Sequence, residues 1–469
     1  MERRPHIVAM PYPAQGHVLP MMELSLCLVK HGFRITFVNT DYAHQKVLNA
    51  LLEKDFIGDH INLVSIPDGM EPWEDRNDFT KLSESLSRVA PGKLQELLHR
   101  INASEDDKVT CIIADTLLGW VFEVAEKMKI RKAVFSPASA ALLTQLLSVN
   151  KLIDDGIIDN QGNPLKIEKI QLAPDMPFMS TTNFVWLGFE DEIMRRKIFE
   201  NVNKHNKTLK LADRIICNTA YDLEAGAFTL FPKILPIGPL LASSRNGNSA
   251  GCFWQEDTNC LKWLDQQPLK SVIYVAFGSI TTFDKTQFQE LALGLELTGK
   301  RFLLVVRPGI TKETNVYPQG FEERVGNRGK IVEWASQQKV LSHPSVGCFL
   351  SHCGWNSTME GVANGVPFLC WPYFGDQPIN ESYICDVWKV GLNFNGDEFG
   401  VIKREEIKNK VEQVLGDERI KARAKEVKEL VLKSVGECGY SAKIFSNFVE
   451  WLNEDSRLSS PGMHGSGIA

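Results

Sequence analysis

No run of about 18 apolar residues occurs in this 469-residue chain, so no stretch reads as a membrane-spanning helix. The first five residues are polar and lead straight into a strand pattern, with none of the apolar core of a signal peptide. A cytoplasmic protein without membrane insertion is therefore expected. An excess of positive charge is also missing. Lys and Arg total 52 against 58 Asp and Glu, a formal charge of -6, which argues against a nucleic-acid partner. The ten cysteines lack any CxxC spacing, and Cys27, Cys111, Cys217, Cys348 and Cys370 sit in apolar runs. Buried free thiols are expected there, with no disulfide or zinc framework. Sequons at Asn102 and Asn206 mean little without an export signal.

Several catalytic signatures are absent as well. No GxGxxG follows an opening strand, which weakens a dinucleotide-dependent oxidoreductase, and no GxSxG elbow supports an alpha/beta hydrolase. HExxH, EF-hand and Asp-x-Asp patterns are missing, so no protein-sided metal site is expected. Residues 294–300 approach a Walker A loop, but Arg301 replaces the required Ser or Thr and the glycines fall at a helix end. If phosphates are handled here, fixed dipoles and side chains must carry the charge.

What is present is an ordinary globular composition, 43% hydrophobic and 23% charged, over a length that favours two domains. Residues 6–10 form a short apolar strand. A proline-interrupted loop follows, then helical spacing over 18–30, a stop at Gly32 and a second strand at 34–38. Strand-like runs at 109–114, 133–135, 214–217 and 234–237 continue the alternation, with a helix-like 119–128 between them. The implied fold class is α/β, with mostly parallel sheets covered on both faces. Gly, Ser, Asn and Pro crowd residues 238–258, which places a first domain at 1–240 and a linker at 241–258. The second domain, 259–444, opens with a buried strand at 271–277, a helix through Phe288 and Leu295, and a strand at 302–306. Residues 404–435 read as helical, and an amphipathic helix at 445–453 should pack back onto the first domain. The Ser- and Gly-rich tail from 454 to 469 is expected to be disordered.

The most informative stretch is 334–377. An apolar run at 346–350 leads through Ser351 into His352-Cys353-Gly354, then Trp355-Asn356-Ser357-Thr358 opens a helix-like segment. A strand, a tight turn and a helix start together make a site for an anion, typically phosphate. His352 either caps this turn or joins Ser279, Asn356 and Ser357 around a diphosphate. Trp334 is either core or a platform for a flat base, and Asp376 and Gln377 either bind sugar hydroxyls or are solvated. His17 lies just past the first strand and Asp115 at the end of another, where open α/β sheets hold their ligands. Converging, they would make a general base, although a lone loop histidine is commonly structural.

Residues 334–377 closely resemble the 44-residue signature of the plant family 1 UDP-dependent glycosyltransferases. The match covers W-A-x-Q, V-L-x-H, HCGWNS with Glu360 three residues on, GVP and the terminal DQ. It extends to PYPAQGHVLP, ICNTAYDLE, IGPL, CLKWLDQQ and VAFGS elsewhere. The resemblance implies the GT-B fold, two Rossmann-like domains facing across a cleft. It makes His17 the catalytic base and Asp115 its supporting carboxylate. Trp334 would stack on uracil, with the Ala335 backbone pairing the base edge and Gln337 nearby, and Glu360 would bind the ribose. Ser279, His352, Gly354, Asn356 and Ser357 would cradle the diphosphate, while Trp355, Asp376 and Gln377 would contact the sugar. Ser139 would match a hydroxyl residue touching the sugar. The implied reaction is an inverting, metal-independent transfer of glucose from UDP-glucose, a co-substrate, to a small lipophilic acceptor, a phenolic, flavonoid or terpenoid, by a monomer that needs no cofactor. Leu117, Trp120, Leu142 and Phe374, with apolar and aromatic residues between 178 and 189, suggest a lipophilic acceptor pocket or, equally, core. A non-catalytic sugar-nucleotide sensor is the competing expectation. The chain departs from the family at Ser336, where W-A-P-Q is usual, which should loosen that loop.

Overall fold

The computed structural model describes residues 4–50, 60–104, 107–189, 191–241, 251–313 and 316–458. Two parallel sheets dominate it. The first contains β1 (His6–Met10), β2 (Arg34–Thr40), β3 (Ile61–Ile66), β4 (Val109–Asp115) and β5 (Arg131–Ser136). A small antiparallel ribbon, β6 (Lys169–Ile170) with β7 (Met179–Ser180), stands apart before β8 (Arg214–Cys217) and β9 (Ile234–Pro236) complete that sheet. The second holds β10 (Val272–Ala276), β11 (Arg301–Val305), β12 (Gly329–Val332), β13 (Val346–Ser351), β14 (Phe368–Cys370) and β15 (Gly391–Asn393). Every residue of β1, β10 and β13 is buried, as central strands covered by helices on both faces require.

The strand orders are β3-β2-β1-β4-β5-β8-β9 and β12-β11-β10-β13-β14-β15. Each order reverses once, between β1 and β4 and between β10 and β13, and such reversal points leave a crevice at the carboxyl ends of the strands. The register slips at corresponding places, between His6 and Ile7 in one sheet and between Val272 and Ile273 in the other. The two domains thus share a backbone plan without any visible sequence repeat.

Hydrogen bonds and apolar packing tie the domains together. The Trp355 indole donates to the Asn218 carbonyl at 2.9 Å, and the Trp388 indole donates to the Leu223 carbonyl at 3.0 Å. Both donors lie in the second domain and both acceptors in the first, within one continuous apolar cluster. The linker is pinned where it is described: Phe253 N–H donates to Gln15 Oε1 at 2.6 Å. Residues 242–250 lie outside the described residues.

The C-terminal helix differs from expectation at both ends. It runs Tyr440–Leu458, beginning five residues before 445 and continuing beyond 454. The expected disorder is therefore wrong for 454–458, and 459–469 lie outside the described residues. Phe448, Val449, Trp451 and Leu452 join the cluster of Ile7, Phe37 and Ile113 on the first sheet. Arg131 fastens this packing, with its guanidinium 4.0 Å over the Trp451 ring and a 2.6 Å bond to the Trp451 carbonyl. The stretch 404–435 is two helices, Arg404–Gly416 and Glu418–Val435. Asp417 divides them because its carboxylate accepts from the Arg419 and Ile420 N–H groups and caps the second. Among the described residues no helix is long and apolar enough to cross a membrane.

Candidate active site

His17 occupies the first turn of the helix Gln15–Lys30, which begins five residues after β1 ends. Asp115 is the last residue of β4, the neighbour of β1 at the reversal point, and is 0% exposed. His17 Nδ1 lies 2.7 Å from Asp115 Oδ2. The other carboxylate oxygen accepts the Leu117 N–H at 2.9 Å, which fixes the carboxylate plane. In neutral imidazole this pairing puts the proton on Nδ1 and leaves the Nε2 lone pair free to accept one. Burial pulls the His17 pKa down, but the charge and hydrogen bond of Asp115, with the charge of Asp376, outweigh it and hold it above the usual 6.5.

The second sheet faces this pair with a cradle of different character. The helix Trp355–Asn364 follows β13 through Cys353, which sits at φ 65, and Gly354, its uncapped N-terminal residue. Gly354 supplies no side chain to cap the first N–H groups of that helix, a geometry that can take an anion. His352 is held between Gly278 and Gly354. A Cβ at either glycine would fall 2.5 Å from His352 Nε2, so only glycine admits the ring there. Burial, with the Arg307 charge, pushes the His352 pKa down to about 4, so the imidazole is neutral and acts as a hydrogen-bonding group. Buried Arg307 braces the turn carrying Ser279, donating to the Thr281 carbonyl at 2.5 Å and the Gly278 carbonyl at 3.2 Å.

Gln337 organises the next part of the wall. Its amide donates to Ser357 Oγ at 2.7 Å and Glu360 Oε2 at 2.6 Å, and its oxygen accepts the Tyr274 hydroxyl at 3.1 Å. Burial raises the Glu360 pKa to about 7 against the pull of Gln337 and Gln338. Trp334 lies against the linker residue Trp254, stacked at 4.5 Å and 24°. Trp334 lines the cavity and Trp254 does not, so one indole supports the back of the other. Ser336 has φ -68, within the range a proline ring imposes.

Asp376 Oδ2 accepts from Asn380 at 2.8 Å, and burial raises its pKa. Gln377 accepts the N–H groups of Tyr373 and Phe374 at 2.6 and 3.1 Å. Asn356 reaches across the cleft to the Gly16 carbonyl at 2.8 Å, next to His17. Trp355 lines the cavity, but its indole N–H is taken by Asn218, so it holds the domain seam as well.

His17, Ser279, Trp334, Ala335, Gln337, His352, Gly354, Trp355, Asn356, Ser357, Glu360, Asp376 and Gln377 open on one cavity of about 410 Å³ between the domains, and Asp115 stands behind His17. Leu117, Leu142 and Phe374 line it as expected. Trp120 and Ser139 do not. Trp120 is buried and faces a small side chamber, and Ser139 is spent capping the helix Ala140–Leu147 through a 3.1 Å bond from the Leu142 N–H. Of residues 178–189, Val185 and Phe189 reach the cavity, whereas Phe184 and Trp186 stack at 4.8 Å in the core and Phe178 is exposed. Sequence inspection missed Tyr12, Phe79, Ser83, Asn201 and His205 on the cavity wall. The four-residue spacing of Asn201 and His205 on one helix was the available signal.

Two doubly wound sheets, meeting at their reversal points around an imidazole-carboxylate pair and a helix start capped by glycine, define a glycosyltransferase of the GT-B fold. Comparison with known proteins agrees. The family model for UDP-glucoronosyl and UDP-glucosyl transferase matches residues 194–431. UDP-glycosyltransferase 83A1 of Arabidopsis thaliana is 45% identical, over 96% of this chain and 97% of that protein. The 7-deoxyloganetin glucosyltransferase of Catharanthus roseus is 33% identical, over 93% and 92%. Phytolacca americana UGT2, solved with UDP-2fluoro-glucose and pterostilbene, superposes with a TM-score of 0.79 at 28% identity, covering 96% of this chain and 99% of that one. The chain belongs to the plant family 1 UDP-glycosyltransferases and is a glycosyltransferase enzyme.

Proposed function

We propose that the enzyme transfers glucose from UDP-glucose to a hydroxyl of a small lipophilic acceptor, with inversion and without a metal ion, giving a β-glucoside and UDP. The observation that carries this is the opening of the His17-Asp115 pair and the uncapped Trp355–Asn364 helix start onto the same cavity. His17 Nε2 takes the acceptor proton as the acceptor oxygen attacks the anomeric carbon. The bond from that carbon to the diphosphate oxygen breaks, and UDP leaves with the electron pair. Asp115 stabilises the imidazolium formed. Backbone N–H groups of residues 354–357, neutral His352 and Ser279 stabilise the leaving diphosphate. Uracil lies on Trp334 against Ala335, Glu360 binds the ribose, and Asp376 and Gln377 bind the sugar hydroxyls.

Glucose as donor is supported by a relative named as a glucosyltransferase and by a fluoroglucose donor in a similar structure. A lipophilic acceptor is supported by Phe79, Leu142, Leu146 and Phe374 in the wall. The test is UDP release with UDP-glucose over a panel of phenolic, flavonoid and terpenoid acceptors, followed by the anomeric coupling constant of the product. Transfer with β configuration, unchanged by EDTA, is expected. Binding of UDP-glucose without release in any acceptor's presence would favour a sensor instead, and loss of activity in EDTA would refute metal independence.

A further inference from the structure

One part of the cavity wall is polar in a way that neither the donor cradle nor the His17-Asp115 pair uses. The helix Glu192–Leu209 presents Asn201 and His205, four residues apart and so on one face, to the cavity. Beside them are Tyr12 and Ser83, whose hydroxyls lie 3.1 Å apart in a hydrogen bond. These four residues and Leu117 also line the side chamber of about 20 Å³, which marks them as the partition between the two spaces. The Asn201 amide and the His205 ring make no hydrogen bond to any described residue, whereas Tyr12 and Ser83 satisfy one another. Burial draws the His205 pKa down to about 4, with Lys204 adding to the effect, so the ring carries one donor and one acceptor.

The partition lies near the reacting centre. The Tyr12 ring is 5.5 Å from that of His17, and Asp115 lies close enough to His205 to act on its charge. An entirely apolar acceptor filling this region would strip water from Asn201 and His205 and return nothing. Sites with such groups reject analogues lacking the matching oxygen far more strongly than apolar pockets reject an added one.

Building on the transfer reaction proposed above, we propose that Asn201 and His205 form a subsite for a second hydroxyl of the acceptor. The preferred acceptors are then rigid aromatic or polycyclic compounds with one hydroxyl at His17 and another against the Glu192–Leu209 helix. Binding, measured apart from turnover, provides the test. The dissociation constants of a monohydroxy and a dihydroxy compound on one stilbene or flavonoid skeleton are compared by calorimetry on UDP-saturated enzyme. The dihydroxy compound should bind at least about 10-fold more tightly. In the double variant Asn201→Leu/His205→Leu that ratio should fall close to one, with UDP affinity unchanged as proof of an intact fold. Asn201→Gln/His205→Gln, which keeps hydrogen-bonding groups, should retain part of the preference. Equal binding of both compounds by the unaltered enzyme, or a preference that survives the leucine substitutions, overturns the subsite. Failure of any compound to be glycosylated while the binding preference holds would count against the proposed transfer and leave the subsite standing.

Discussion

Replacing Asp115 by Asn probes the proposed catalytic pair most directly, because the structure fixes how the new amide must lie. Asp115 Oδ1 accepts the Leu117 N–H at 2.9 Å, and only the carbonyl oxygen of Asn can serve there. The amide nitrogen is then forced into the Oδ2 position, 2.7 Å from His17 Nδ1. Two hydrogens cannot face each other, so Nδ1 becomes the acceptor and the ring proton moves to Nε2, the nitrogen that must receive the acceptor's proton. The variant keeps shape and packing but presents the wrong tautomer and loses the charge that stabilises imidazolium. Loss of general-base assistance predicts a fall in kcat of about 10² to 10⁴. A second consequence has a definite sign. In the unaltered enzyme Asp115 helps hold the His17 pKa above 6.5, so activity rises with pH through that raised value as the base is freed. Without the charge, burial dominates and the acid limb of the residual activity moves to lower pH. Rates of UDP release from pH 5 to 9 would show both effects, with UDP affinity from calorimetry as the control. An acid limb that stays in place or moves upward, or a kcat within a few-fold of the original, would falsify the assigned role of the pair.

Other substitutions address the donor side. Gly354→Ala sets a methyl group 2.5 Å from His352 Nε2 and should weaken UDP binding about 10- to 100-fold by displacing the ring, while an unchanged Kd would mean the ring is not needed. Trp254→Ala removes the stack at 4.5 Å behind Trp334, worth about 0.5–1.5 kcal/mol for such a pair. A roughly 2- to 10-fold loss of UDP affinity at unchanged kcat is expected, largely recovered by Trp254→Phe; a kcat effect alone would contradict it. Ser336→Pro should stabilise the protein by about 0.4–1 kcal/mol, because φ is already -68 and the residue's N–H is not used in any described hydrogen bond. A lowered urea midpoint would refute that. Glu224→Ala should cost about 2–4 kcal/mol in urea unfolding, since the buried carboxylate accepts the Ala140 and Ala141 N–H groups at 3.0 and 2.9 Å. An unchanged midpoint would show that those groups find other partners.

Features carried by a short contiguous run were legible in the sequence. Apolar strands, the strand-turn-helix around His352 and the end of the first strand beside His17 depend on neighbours a few residues away. The chain's own pattern therefore determined the α/β class and the strand-turn-helix corner. Apart from the pairing of His17 with Asp115, features that depend on residues far apart were not legible. Asn201 and His205 look like ordinary polar positions of a charged helix until that helix packs against the helix Gly119–Lys127. Ser139 and Trp120 look like site residues until one is seen capping a helix and the other buried beside a side chamber. Trp254 reads as linker until it stacks on Trp334, 80 positions later.

The sequence by itself determined that the protein is built of two parallel-sheet halves and that one of them carries a strand-turn-helix corner around His352. Local propensity and hydrophobic periodicity suffice for that, because they act within a segment. Only the tertiary structure decided which imidazole meets which carboxylate, which tryptophan faces the cavity and which polar groups are left without partners along its wall. Those outcomes depend on where two sheets reverse their strand order and how closely they face, and contacts between distant residues fix that geometry.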